Sequence, residues 1–272
     1  IRKLMTDDKG RLWVVTNLGV QRYNRMYDNF ESVVFPGSLT ANINDILQTP
    51  EGKIWLLTAA DGIFEVDEET MEAKAHDALN KRILNVKECD NMYLDKKGRM
   101  WISYRDEGLQ MIDTKSDASH LYASKPLQDT RAVDIIEDDN GLLTVVTYSA
   151  LLQLNEQTKE FETVVTFPRT SVHHIYKEKS GTMLIGTSGS GIMAVDMKTK
   201  QLKSLEDPKV GFTSLRYSRV HAIMEDRNGN KWFGCFQIGL LFVSNNQYPF
   251  HFLPLSQMDC YNSNVLRTVY AD

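Results

Sequence analysis

One phrase recurs six times along the 272 residues, and this periodicity restricts the fold more than any other feature. Its third copy reads Asp95-Lys96-Lys97-Gly98-Arg99-Met100-Trp101, followed by Gly108 and then Ile112-Asp113. Alignment on the turn glycine gives Gly10, Gly52, Gly98, Gly141, Gly181 and Gly229, spaced by 42, 46, 43, 40 and 48 residues. Three residues later stand Trp13, Trp55, Trp101, Thr144, Leu184 and Trp232, and six before it Leu4, Ile46, Met92, Ile135, Ile175 and Ile223. A fixed period of this length marks an array of units, none of which can bury its apolar face alone.

Each copy divides into four short strand candidates. In the sixth they are 220–226, 231–235, 240–243 and the aromatic run around Phe250 and Phe252. β-branched and aromatic residues dominate these runs, and no sustained 3.6-residue apolar period competes. The turn between the first two carries Asn228-Gly229, residues that tolerate the positive φ of a tight hairpin. Four strands in 40–48 residues is the size of one propeller blade. The expected fold is therefore all-β: a β-propeller with units at about 1–42, 43–88, 89–131, 132–171, 172–219 and 220–265. The tail 266–272 repeats the columns of residues 1–7 and reads as the first strand of a seventh unit, so a seven-bladed ring is expected in a longer parent protein. The tryptophan column is expected to fill the space between neighbouring blades.

With 31 basic and 36 acidic residues the net charge is −5, which argues against a nucleic-acid partner. No window approaches 18 uninterrupted apolar residues, so any membrane attachment is expected through other parts of the parent. Cys89, Cys235 and Cys260 form neither a disulfide framework nor a zinc signature. No cofactor is expected.

The phrase Asp-x-x-Gly-x-Ile/Leu-Trp-x-x-Thr-x-x-Gly, at its best over residues 7–19 and 49–62, resembles the two-component regulator propeller repeat. Copies four and five depart from it at Thr144 and Leu184, and copy six at Cys235. The resemblance implies a periplasmic sensor region of a hybrid histidine kinase/response regulator of gut polysaccharide-degrading bacteria. It further implies an oligosaccharide ligand, control of polysaccharide-utilisation genes, a second propeller and an immunoglobulin-like domain in the same parent chain, and a homodimer as one arrangement.

Strand alternation places the loop between second and third strands, and the approach to the first strand, at one end of each blade. The Asp-x-x-Gly turns lie at the other. The loop ends differ most between copies, and loops on a rigid scaffold carry binding. The candidate ligand contacts there are Arg105, Arg131, Tyr148, His173, Arg216, Tyr217, Arg219 and Gln237. Arginines supply planar donors and tyrosines a stacking face for a polyhydroxylated or acidic sugar. His173 and His174 alternate faces of a strand and make a poor metal pair, and His221 is expected to pack between blades.

The alternatives are a propeller enzyme, either a glycosidase or a lyase of the streptogramin-inactivating kind, and a protein-interaction scaffold. A glycosidase needs paired carboxylates in a pocket. Most acidic residues here fall in turn columns: Asp7, Asp95, Asp138 and Asp226, or Asp67, Asp113 and Asp196. That leaves Asp61, Asp106 and Glu107 at the loop ends, so no catalytic residue is assigned to this segment.

Overall fold

The computed structural model describes residues 2–38, 42–123, 127, 132–138, 140–167, 170–205, 218–245 and the backbone of 251–253. The strands form six four-stranded sheets, each with its strands in sequence order, the meander of a propeller blade. The first strands of blades two to six begin at Ile43, Cys89, Ala132, Val172 and Val220, the column expected from the repeat. The proposed seventh-unit strand lies outside the described residues.

Two connections are more ordered than a simple loop. Asp77–Asn80 forms one helical turn after blade two, with His76 Nδ1 accepting from the Leu79 amide at 3.4 Å. Leu79 and Ile83 bury themselves beneath it, and the segment joins blades without replacing a strand. Val34 pairs in parallel with Glu72, so the exit from blade one continues along the fourth strand of blade two.

The chain divides into two compact units, residues 1–145 with 153–162, and residues 146–152 with 163–272. In the first unit, Trp13 and Trp101 are 0% exposed and sit in their expected packing role. Their indole N–H groups also donate to the turn carboxylates, Trp13 to Asp7 at 2.9 Å and Trp101 to Asp95 at 2.9 Å. The same Asp95 accepts from the backbone N–H of Lys97 and Arg99 and from Arg99 Nε. One carboxylate thus holds the turn, the strand start and the core indole together, which is the physical reason for the Asp-x-x-Gly-x-x-Trp spacing. Blade two has Thr49 at the aspartate position, and Trp55 donates instead to Glu65 at 3.0 Å.

In the second unit, Asp226 repeats the arrangement with Trp232 at 3.0 Å. Trp232 is less deeply buried than the other three tryptophans. Its ring contact is with Phe242 of its own blade, centroids 4.5 Å apart. The turn glycines all have positive φ, from 73° to 89°, where a side chain would strain the backbone.

Candidate ligand-binding site

A β-bulge near the start of the first strand prepares the loop ends. The register slips between Ile43 and Asp45, Val172 and His174, and Val220 and Ala222. In blade three Cys89 and Asn91 flank the same slip. The residues at the slip are Asn44, Asp90, His173 and His221, all capable of polar contacts. A bulge re-aims a side chain out of the normal alternation.

In the first unit Asn44 donates to the Cys89 carbonyl of the next blade at 2.7 Å. The adjoining column also spans blades. Asp45 accepts from Lys3 of blade one and from the Met92 amide of blade three at 3.0 Å, and Asn91 reaches the Ala132 carbonyl at 3.1 Å. These links were invisible to the repeat comparison because the residue type changes from blade to blade.

In the second unit the two bulge residues meet. The imidazoles of His173 and His221 stack with centroids 4.2 Å apart and planes 28° from parallel. His174, on the other face, hydrogen-bonds the Ile223 carbonyl through Nε2 at 3.2 Å and so belongs to the inter-blade packing. Gly186 permits the approach of the two blades: a Cβ there would lie 2.6 Å from the Val220 carbonyl oxygen. Neither neighbouring strand could come as near with a side chain in that place.

Phe236 extends the cluster, its ring centroid 5.8 Å from that of His221. Arg219 places its guanidinium carbon 5.6 Å from the centre of the Phe236 ring. Its backbone is fixed twice, by the Phe236 amide donating to the Arg219 carbonyl at 2.8 Å and by a bridge to Ser188 of blade five. Gln237 follows Phe236, exposed and at φ 61°. Burial, and after it the positive charge of Arg219, holds the His173 imidazole below its ordinary pKa.

Of the sequence candidates, the structure brings His173 and Arg219 together with His221 and Phe236, and Gln237 follows Phe236 in the chain. Tyr148 is 37% exposed at the loop end of the fourth sheet, in the same unit. Arg105 belongs to the first unit, exposed, with its Nε 4.0 Å from Glu88. Arg131, Arg216 and Tyr217 lie outside the described residues. The sequence places Phe236 in a loop-end segment without singling it out as a contact and reads His221 as packing between blades, and its stack on His173 of the neighbouring blade is such a contact. Both sit in variable columns of the repeat, and that variability was the available signal.

The acidic residues of the turn columns have structural partners. Asp67, Asp113 and Asp196 each accept from two backbone N–H groups that follow them. Among the described residues no group of three metal-ligating side chains converges.

No protein-family model and no curated protein matches this chain. Solved structures do. The extracellular domain of BT4673 from B. thetaiotaomicron, a candidate hybrid two-component system, superposes with a TM-score of 0.79 at 16% identity, covering 99% of this chain and 35% of that one. That of BT3049, of the same kind and organism, gives 0.75 at 20% identity, over 90% of this chain and 33% of the other. Virginiamycin B lyase from Staphylococcus aureus gives 0.70 at 14% identity, over 92% and 83%. The chain spans about a third of the length of the two extracellular domains it matches. At these identities the likeness establishes the fold.

Proposed function

We propose that this chain is a non-catalytic sensor propeller of a hybrid two-component signalling protein, lying outside the cytoplasmic membrane and binding an oligosaccharide through the loop ends of its blades. The observation carrying this reading is the match, over almost the whole chain, to extracellular domains of two candidate hybrid two-component systems. The parent would add a second propeller, an immunoglobulin-like domain and an intracellular histidine kinase controlling polysaccharide-utilisation genes, with a homodimer as one arrangement. The cluster of His173, Arg219, Phe236 and Gln237 supports the placement of the ligand: it joins hydrogen-bond donors to aromatic planes, the two surfaces a sugar offers. Arg105, Arg131, Tyr148, Arg216 and Tyr217 are the further ligand contacts proposed from the sequence alone. Calorimetric titration of an oligosaccharide panel tests this. Binding should weaken about ten- to a hundred-fold in Arg219→Ala, the cost of one charged hydrogen bond. Affinity unchanged in Arg219→Ala but lost in Lys9→Ala would move the ligand to the turn ends.

A second reading has one observation in its favour. A histidine-to-alanine variant of the S. aureus lyase is catalytically inactive, and a histidine pair stands at the loop ends here. Turnover of a streptogramin B by this chain, abolished in His173→Gln or His221→Gln, would establish it in place of the sensor.

A further inference from the structure

Blade one carries a cavity of about 440 Å³ beside the hairpin between its second and third strands, lined by Thr16, Leu18, Val20, Gln21, Ser32 and Val33 with Asn17. Small-molecule and anchor-residue sites run from roughly 300 to 1,000 Å³. Val20 and Val33 are buried and Leu18 is 89% exposed, so the apolar part of the lining runs from the core to solvent. Gln21 pairs across the sheet with Ser32, and its Nε2 donates to the serine Oγ at 3.2 Å. The column of Gln21, two residues after Gly19, holds Phe64, Gln110, Leu152, Met193 and Leu241 in the later blades, every one of them buried. Blade one therefore puts an amide and a cavity where four other blades put an apolar side chain.

Blade three, with the other glutamine of the column, shows what such an amide holds. Gln110 is also oriented by a serine of its fourth strand, Nε2 donating to Ser119 Oγ at 2.8 Å. The connection entering the blade lies against it: the Leu84 N–H donates to Gln110 Oε1 at 3.0 Å, and Gln110 Nε2 donates to the Arg82 carbonyl at 2.8 Å. Ile83, between the two, is buried in the apolar cluster with Leu57, Ile63 and Ile102. Tyr104, in the column of Thr16, adds its hydroxyl to Gln110 and to the Leu84 N–H. One side-chain amide thus reads a carbonyl and an N–H two residues apart on a stretch of main chain, with an apolar side chain inserted between them.

From this internal likeness we infer that the blade-one cavity is a docking site for a peptide segment of a partner, held by Gln21 as Gln110 holds residues 82–84. Gln21 Oε1 accepts a main-chain N–H, and the second hydrogen of its Nε2 reaches the carbonyl two residues earlier. The branched apolar side chain between them packs on Val20 and Val33. Thr16, smaller than the Tyr104 of blade three, leaves room for it. Main-chain bonds supply affinity here and the pocket for the intervening side chain supplies selectivity, a recurring mode of peptide recognition.

The test uses the full chain and an N-acetylated, C-amidated pentapeptide copying residues 81–85, Lys-Arg-Ile-Leu-Asn. A second peptide carries an N-methyl group on the amide nitrogen matching Leu84, and a third carries Ile83→Asp. NMR signals of the Val20 and Val33 methyls and of the Gln21 side-chain amide report occupancy. The expected result is saturable shifts of all three with the copied peptide, binding about ten-fold weaker after N-methylation, and no binding of the Ile83→Asp peptide. Gln21→Leu, which gives blade one the residue type of blades four and six, should hold the denaturation midpoint at or above its original value and weaken the copied peptide at least ten-fold. Shifts around Gln110 in place of Gln21, equal affinity after N-methylation, or equal affinity in Gln21→Leu would overturn the inference. Saturable shifts of the same signals with N-acetylglucosamine, and none with the copied peptide, would give the cavity to a saccharide instead. Silence of the three signals to the copied peptide and to the sugar would remove the site.

Discussion

At the turn ends of the blades, Lys9 and Arg11 meet Glu68, Lys97 and Arg99 meet Glu156, and Lys231 meets Glu178. At the loop ends of blades five and six, Arg219 meets the face of Phe236 and bridges to Ser188 instead. Both regions are rich in polar side chains. In the first, donors and acceptors are matched within the protein, and the same pairing returns 88 residues later, from Lys9–Glu68 to Lys97–Glu156. Such a surface has little hydrogen-bonding capacity left for a ligand. In the second, an exposed guanidinium lies over an aromatic ring next to two stacked imidazoles, a mixed polar and aromatic surface of the kind that ligand sites use. Substitutions at turn ends should therefore change stability and leave binding alone; those at the loop cluster should do the reverse.

Trp101→Ala should show the largest effect. The ring is fully buried, donates to Asp95, and packs against Tyr122 and Phe161 with centroids 5.4 and 6.1 Å away. Emptying such a site costs about 3–5 kcal/mol, read as a lowered denaturation midpoint. Trp232→Ala should cost less, because that ring is half-buried. Equal losses would mean that burial does not distinguish the two blades.

Gly186→Ala lies between the two regions. Its new Cβ would stand 2.6 Å from the Val220 carbonyl oxygen, so the first strand of blade six must move away. Overpacking of this kind costs about 1–3 kcal/mol. It should also spread the His173–His221 stack and weaken ligand binding, uniting both kinds of loss in one variant. A stability loss with unchanged imidazole signals would show that the stack does not depend on the close approach.

Acid should separate the ends next. The hydrogen bond from Arg99, and then those from Lys97 and Lys159, outweigh burial and hold the Glu156 carboxyl well below the usual carboxylate range. Because the folded pKa is depressed, Glu156 contributes stability above its unfolded value near 4.5, and that contribution is lost as pH falls below it. Glu156→Gln should flatten that part of the acid limb and change little of the stability slope above about pH 6. A wild-type slope retained in the variant would assign the acid sensitivity to other carboxylates.

The architecture was legible in the sequence because its determinants repeat. Turn glycines, strand starts and the tryptophan column follow one spacing, and the strands begin where that spacing puts them. The asparagines and aspartates after the third strands also cap turns, as Asn24 does for Met26. What was not legible changes type between blades: Lys3, Asp45, Asn91 and His174 all reach a neighbouring blade, through different chemistry each time. The His173–His221 stack was hidden for a further reason. A bulge moves each residue out of the alternation that sequence patterns assume, and their meeting depends on a glycine in another strand.

Arg219→Ala should have the smallest effect on stability and is the sharpest test of the contrast. The side chain is exposed, and its described ring partner, Phe236, is itself half-buried. Removing an exposed side chain away from caps and cores usually changes stability by no more than about 0.5 kcal/mol. The two backbone anchors, the bond from the Phe236 amide and the bridge to Ser188, involve main-chain atoms that alanine retains. The denaturation midpoint should therefore stay where it is while affinity for the oligosaccharide falls. Removing the nearest positive charge should also let the His173 pKa rise toward its ordinary value, with burial still holding it below. A large stability loss in Arg219→Ala would place this arginine with those of the turn ends, as a structural residue, and the contrast between the two ends would fail at its central residue.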